Sequence, residues 1–168
     1  GYTSEQVLFV LLGNGRNGKS VFLDIMNEVF GNYATNIRPQ AIMANNQKSD
    51  ASPEIAKLDG ARFVTTTEPN EGDRFDEGLI KQLTGGDKVT ARKLYENEFE
   101  FVPQLKLWMA TNHKPYVRGT DEGIWRRFVI IPFDKQIPLK EVDRDLTNKL
   151  KKELPAIMKW CVEGYLCL

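Results

Sequence analysis

The 168-residue sequence has one histidine and two cysteines, and that scarcity removes several chemistries. Cys161 and Cys167 lie close together, and with no second cysteine pair they cannot build a zinc site. They read instead as two apolar side chains on a terminal helix of a reduced intracellular protein. Long apolar runs are also missing. The longest, residues 7–12, falls far short of the roughly 20 residues a membrane-spanning helix needs. No secretory leader is visible. The first residue is Gly1 and a strand begins almost at once, so a fragment of a longer polypeptide is expected. Charge of one sign is lacking as well, since Lys plus Arg and Asp plus Glu both number 23. A neutral total neither supports nor opposes nucleic-acid binding, because basic groups can be confined to one pore or groove. No internal repeat or low-complexity segment occurs. The length suits a single domain, 1–168, able to bury its own core, with a helical appendage at 134–168.

The residues present alternate between strand and helix patterns. The run VLFVLL at 7–12 ends at Gly13 and suits a strand buried on both faces. Val21, Phe22, Ile25, Met26, Val29 and Phe30 then recur at helical spacing until Gly31. Residues 40–50 are polar and read as a loop. Ser52-Pro53-Glu54 is an N-cap followed by proline, opening a short helix to Leu58. Residues 62–67 form a β-branched and aromatic strand. A helix over 77–83 stops at Gly85-Gly86. Residues 89–94 and 99–102 read as strands around a polar turn, and 105–110 and 128–133 as two more strands. The tail is helical, with Pro155 starting the last helix. This rhythm predicts an α/β fold with a mostly parallel central sheet flanked by helices. The hairpin at 89–102 interrupts it and reads as an insertion with its own task.

Gly13-Asn14-Gly15-Arg16-Asn17-Gly18-Lys19-Ser20 fits G-x-x-x-x-G-K-[ST] in full, with a buried strand before it and an amphipathic helix, opening at Val21, after it. Glycines let backbone N–H groups turn inward around phosphate oxygens, and the helix N-terminus adds partial positive charge. Lys19 is expected to reach the β- and γ-phosphates of ATP, and the Ser20 hydroxyl to ligate Mg²⁺. A phosphate loop alone does not say what the nucleotide is for. No guanine-reading Asn-Lys-x-Asp sequence follows it, and no arginine-rich lid of the small-molecule kinase type. Hydrolysis also needs an acid near the attacking water, and the strand at 62–67 ends at Glu68. Thr67 stands where a strong motor pattern has aspartate. Read locally, Glu68 is either that acid or a solvated carboxylate at a strand end.

The order of the remaining motifs decides the class. LIKQLTGGD at 79–87 leads to Thr90-Ala91-Arg92-Lys93. LWMATNHKP at 107–115 comes next, then DEGIWRRF at 121–128 and Ile131-Pro132-Phe133. This arrangement closely resembles the superfamily 3 helicases, specifically phage, plasmid and poxvirus-type primase–helicases, over nearly the whole chain. The resemblance implies a P-loop NTPase of AAA+ type that assembles as a homo-oligomeric ring, usually a hexamer, around DNA. It implies a replication helicase in the cytoplasm of a bacterial or virus-infected cell, with single-stranded or forked DNA as substrate and a primase domain in the same polypeptide. No membrane partner is implied.

Through the resemblance, Glu68 is the acid serving Mg²⁺ and water. Asn112 matches the sensor-1 amide at the end of the 105–110 strand, where local reading alone has a turn residue before Lys114-Pro115. Arg127 matches the arginine finger that reaches a neighbouring subunit's γ-phosphate, with Arg126 as runner-up. The hairpin matches the pore hairpin of the family, with Arg92 and Lys93 as DNA-binding residues and Tyr95 as a stacking face. His113 is not expected to act as base, because phosphoryl transfer to water depends mostly on positioning and electrostatics. The rival class is a nucleotide-switched assembly or remodelling ATPase without unwinding activity, which has no need of a lysine in a pore.

Overall fold

The computed structural model describes residues 2–44, 52–69, 72–114 and 122–167. Most of the expected polar loop, together with Pro115 and Asp121 of the later motifs, lies outside them. Five strands form one sheet: β1 (Leu8–Leu12), β2 (Ala34–Ile37), β3 (Phe63–Thr66), β6 (Lys106–Thr111) and β7 (Phe128–Pro132). Their order is β2-β3-β6-β1-β7, and every pairing is parallel. Parallel pairing brings all five C-terminal ends to one edge. β1 sits between β6 and β7, in register from Leu8 opposite Leu107 and Phe128. The chain leaves β1 toward the far side of the sheet and later crosses back to β7. The crevice beside β1 is therefore the topological switch point where ligands of open α/β sheets bind.

Alternation along the strands sorts the side chains into two cores. Leu8, Val10, Val64, Leu107 and Met109 face one side and pack with Ile80, Leu83 and Ile124. These last three come from helices α3 (Glu77–Gly85) and α4 (Glu122–Trp125), and α2 (Pro53–Ala56) joins them through Ile55 and Ala56. On the other face Leu11 and Phe63 meet Leu23 and Met26 of α1 (Lys19–Phe30). An aromatic group surrounds them, in which Phe9 stacks on Trp108 at 4.2 Å and Phe30 on Phe63 at 5.1 Å. Such pairs prefer offset contact and add to simple burial. In the tail, α5 (Leu146–Lys151) is tied to α1 by the Lys151–Glu28 ion pair at 2.6 Å. Helix α6 (Leu154–Leu166) lays Ile157 and Cys161 against the aromatic group. Burial pushes the Cys161 thiol up, away from a reactive thiolate. Among the described residues no helix is long and apolar enough to cross a membrane.

Two departures from the sequence expectation have physical reasons, while the inserted hairpin stands where it was expected. Strand β2 carries polar Thr35 and Asn36, which hide its pattern. It is nonetheless held as the sheet's edge because the Asn36 amide donates to Thr65 Oγ1 at 3.0 Å. The start of the expected polar loop is ordered, with Ile42 and Met43 buried and Met43 bridging Phe75. The inserted hairpin, β4 (Val89–Arg92) and β5 (Glu98–Phe101), forms a separate antiparallel sheet. Its chain rejoins the main sheet at Lys106, the N-terminal end of β6. The hairpin root therefore lies across the sheet from the phosphate-loop edge. Of β6, the strand that follows the hairpin, only the far end reaches that edge.

Candidate active site

The glycine-rich loop of residues 13–20, expected to bind phosphate, follows β1 and is wired to both neighbouring strands. Gly13 N donates to Thr111 O at 3.2 Å, and Phe133 N to Leu12 O at 2.7 Å. The Asn17 amide donates to Phe133 O at 2.9 Å. A Cβ on Gly13 would lie 2.3 Å from that carbonyl oxygen and 2.5 Å from Asn17 Nδ2, so only glycine fits there. Gly18 turns at φ +88°, a conformation that favours glycine, and delivers Lys19 as the first residue of α1. Arg16 also has positive φ, at +53°. The N-terminus of α1 has no side-chain cap and no acid in its first turn. By contrast α2 is capped by Ser52 and α3 by Asp76. A helix N-terminus left with open amides is an anion site in waiting.

These elements open onto a cleft of about 450 Å³. Residues 15–21, including Gly15, Ser20 and Val21, line one side, and Thr67, Glu68 and Asn112 line the other. Gly13 and Asn14 form the strand exit behind it. Lys19 is buried to 7% exposure at its floor. Its ammonium donates to Gly13 O, to Asn17 Oδ1 at 3.2 Å and to Asn112 Oδ1 at 3.2 Å. Burial pushes Lys19 below the usual lysine value, and the Glu68 carboxylate acts in the opposite sense. The amide of Asn112 and its backbone N–H both donate to Glu68, at 2.9 Å to Oε2 and 2.8 Å to Oε1. Thr111 Oγ1 adds a contact to Oε1 at 3.4 Å, and His113 Nε2 stands 3.9 Å from the same oxygen. Sequence reasoning missed Thr111. Its signal was a hydroxyl ending an otherwise apolar strand, next to the amide.

The structure thus brings Lys19, Ser20, Glu68 and Asn112 into one cleft. It does not bring in Arg126, Arg127 or the hairpin. Arg126 and Arg127 precede β7, at the N-terminal edge of the sheet. Arg127 is buried to 7% exposure and donates to Thr84 Oγ1 at 2.9 Å and to Gln6 O at 3.4 Å. Its burial, then neighbouring Arg126, push its guanidinium below the ordinary arginine value, with Asp87 acting oppositely. The structure of the single chain thus turns Arg127, which the resemblance matches to the reaching guanidinium, inward onto Thr84 and Gln6. The exposed guanidinium is that of Arg126, which donates to Gln6 Oε1 at 2.8 Å. On the hairpin, Arg92 lies opposite Glu98 in register, whereas Lys93 stands past the paired strands with its ammonium 5.7 Å over the Phe99 ring. Tyr95, at the turn with φ +62°, is 98% exposed.

Residues 11–127 match the family described as "Family of unknown function (DUF5906)". The chain belongs to the DUF5906 family. It is 35% identical to a protein of Acanthamoeba polyphaga mimivirus named a putative helicase, which aligns with 100% of this chain. It is 28% identical to a putative helicase of Frog virus 3 over 95% of this chain. A putative primase of African swine fever virus is 24% identical over 73% of this chain. The chain spans 18% of the length of the first two and 13% of the third. Among solved structures, the apo NrS-1 C-terminal region superposes with a TM-score of 0.69 at 18% identity, covering 92% of this chain and 36% of that one. The JCV helicase superposes at 0.54 and 12% identity, over 96% and 41% of the two chains. The named viral helicases and primase bear out the superfamily 3 primase–helicase resemblance drawn from the motif order. The solved structures share the fold of this DUF5906 member.

The two arginines predict opposite stability phenotypes. Arg127→Met should lower the free energy of unfolding by about 1–3 kcal/mol, because it removes a buried charged donor to Thr84. Arg126→Met should stay within about 0.5 kcal/mol of the parent, as exposed substitutions do. Urea unfolding of both variants measures this, and equal losses would contradict the assignment of inside and outside arginines.

Proposed function

We propose that this domain is the ATP-hydrolysing, Mg²⁺-dependent motor of a viral or mobile-element replication helicase, of P-loop AAA+ type, working on DNA as a homo-oligomeric ring. One observation carries the reading. Lys19, Glu68 and Asn112 arrive from the ends of three adjacent parallel strands or their loops, and Asn112 bonds to both of the others beside a cleft of about 450 Å³. A ring, usually hexameric, and a primase domain in the same polypeptide belong to the same proposal.

In this reading the open amides of α1 and the buried Lys19 ammonium bind the β- and γ-phosphates of ATP. The three oxygens that Lys19 now contacts are neutral, so an anionic phosphate oxygen is the stronger partner. Mg²⁺ fits the donors present, since the Ser20 hydroxyl and the Glu68 carboxylate face the same cleft. When bound, the ion would neutralise phosphate charge. Glu68 orients the attacking water and accepts its proton. Asn112 holds the carboxylate by two hydrogen bonds and can offer its amide to the γ-phosphate without adding charge. The exposed Arg126 serves as the trans-acting guanidinium for the site of the next subunit. Lys93, whose ammonium lies over the Phe99 ring and has no carboxylate opposite it in register as Arg92 has in Glu98, grips DNA backbone phosphate as a point charge, beside the stacking face of Tyr95.

Glu68→Gln keeps the shape and one acceptor but loses the charge. It should bind ATP and hold it, with turnover near background. Filter retention of labelled ATP alongside phosphate release checks this, and normal turnover would assign the chemistry to another acid.

Lys93→Ala should weaken single-stranded DNA binding and abolish unwinding while basal ATP hydrolysis persists. The dependence of affinity on salt should become shallower by about one counterion per contacting subunit. DNA titrations across a salt series measure both. Identical affinities and slopes would favour the nucleotide-switched assembly ATPase instead.

A further inference from the structure

Gln6 lies just before β1, outside the motifs. It has φ +53°, in the left-handed region that residues other than glycine, asparagine and aspartate seldom adopt. Its backbone N–H donates to Thr3 O at 3.0 Å, closing a turn. This turn packs tightly on the hairpin root, since a Cβ on Gly86 would lie 2.8 Å from Thr3 Oγ1. Gln6 then meets both arginines ahead of β7. Its side-chain oxygen accepts from Arg126 at 2.8 Å, and its carbonyl oxygen accepts from Arg127 at 3.4 Å. Arg127 is anchored in turn to Thr84 in the last turn of α3, and its own carbonyl accepts from Leu8 N at 2.7 Å. A strained, non-glycine residue is thus held between a buried arginine and an exposed one. Strain of this kind persists only where the surroundings enforce it, and it gathers at functional positions.

We infer that Gln6 is a positioning residue for Arg126. The inference rests on the reading of Arg126 as the trans-acting guanidinium. The buried Arg127 pins the Gln6 carbonyl, and the left-handed backbone aims the amide oxygen outward. That oxygen occupies one of the five N–H donors of Arg126 and leaves the rest of the fork for phosphate oxygens of a nucleotide bound by a second copy of this chain. An exposed arginine without such a hold samples many rotamers, and the time spent aimed at its target falls. Arg127 thereby has a task distinct from reaching: it braces the residue that aims its neighbour.

The test is steady-state ATP hydrolysis by the assembled protein for Arg126→Ala, Gln6→Gly, Gln6→Glu and the double variant Gln6→Gly/Arg126→Ala. Gln6→Gly removes the side chain and relaxes the left-handed backbone, so the thermal midpoint should hold or rise. Its kcat should nevertheless fall, by up to about 10²-fold, with KM for ATP unchanged. Gln6→Glu restores an acceptor for Arg126 and should keep parental turnover. In the Arg126→Ala background Gln6→Gly should add nothing, because the residue it positions is already gone. Additive losses in the double variant would overturn the inference, since Gln6 would then act elsewhere. So would full turnover in Gln6→Gly beside an impaired Arg126→Ala, which overturns the Gln6 role alone. Full turnover in Arg126→Ala overturns the trans-arginine reading and the Gln6 role together.

Discussion

Parallel pairing of β1 with β6, in register from Leu8 opposite Leu107 to Leu12 opposite Thr111, is the constraint on which the rest of the molecule depends. It places the start of the phosphate loop and the Thr111-Asn112 corner on the same edge of the sheet. Adding β3 on the far side of β6, with Thr66 opposite Met109, brings Glu68 to that edge too. Because side chains alternate across a pleated strand, a slip of one residue would turn Leu8 and Val10 out of their core and move the site residues with them. The two apolar faces thus maintain the geometry of the polar edge. The hydrogen bonds from Asn112 to Glu68 and from Lys19 to Asn112 follow from that register.

Within the cleft the electrostatics are arranged for an anion. Lys19 is desolvated, and its direct hydrogen bonds go to neutral oxygens, while the Glu68 carboxylate is engaged by Asn112. A cation at the open end of α1 whose hydrogen-bond partners are all neutral is poised to exchange them for charged ones. The same economy does not extend to the arginines. One is spent on the interior, bonded to Thr84, and only its neighbour faces out. The two have identical side chains and adjacent positions, yet burial gives them different surroundings and partners.

Much of this was legible from residues. The continuous apolar run before Gly13 marked β1 as buried on both faces, and the phosphate-loop spacing marked Lys19. Glycine and proline punctuation marked the ends of α1 and α3 and the start of α6. The hairpin was visible because its alternating strands break the α/β rhythm. Strand β2 was not legible, because Thr35 and Asn36 interrupt its apolar pattern, while its pairing with β3 and the Asn36–Thr65 bond are tertiary facts. Nor could local reading tell Arg126 from Arg127, since which of two consecutive side chains is buried depends on α3 packing against the lead into β7. The opposite placement of the hairpin root and the phosphate edge likewise required the sheet order. Gln6 carried no sequence signal, because a left-handed glutamine looks like any other polar residue before a strand.

The central claim is that the uncapped start of α1 and its buried lysine bind and turn over ATP. The most direct test is phosphate release from Mg²⁺-ATP by the parent protein and by Lys19→Ala under identical conditions. The account predicts Mg²⁺-dependent release by the parent, with weakened ATP binding and near-background release in the variant. Equal steady-state release by the two would contradict it.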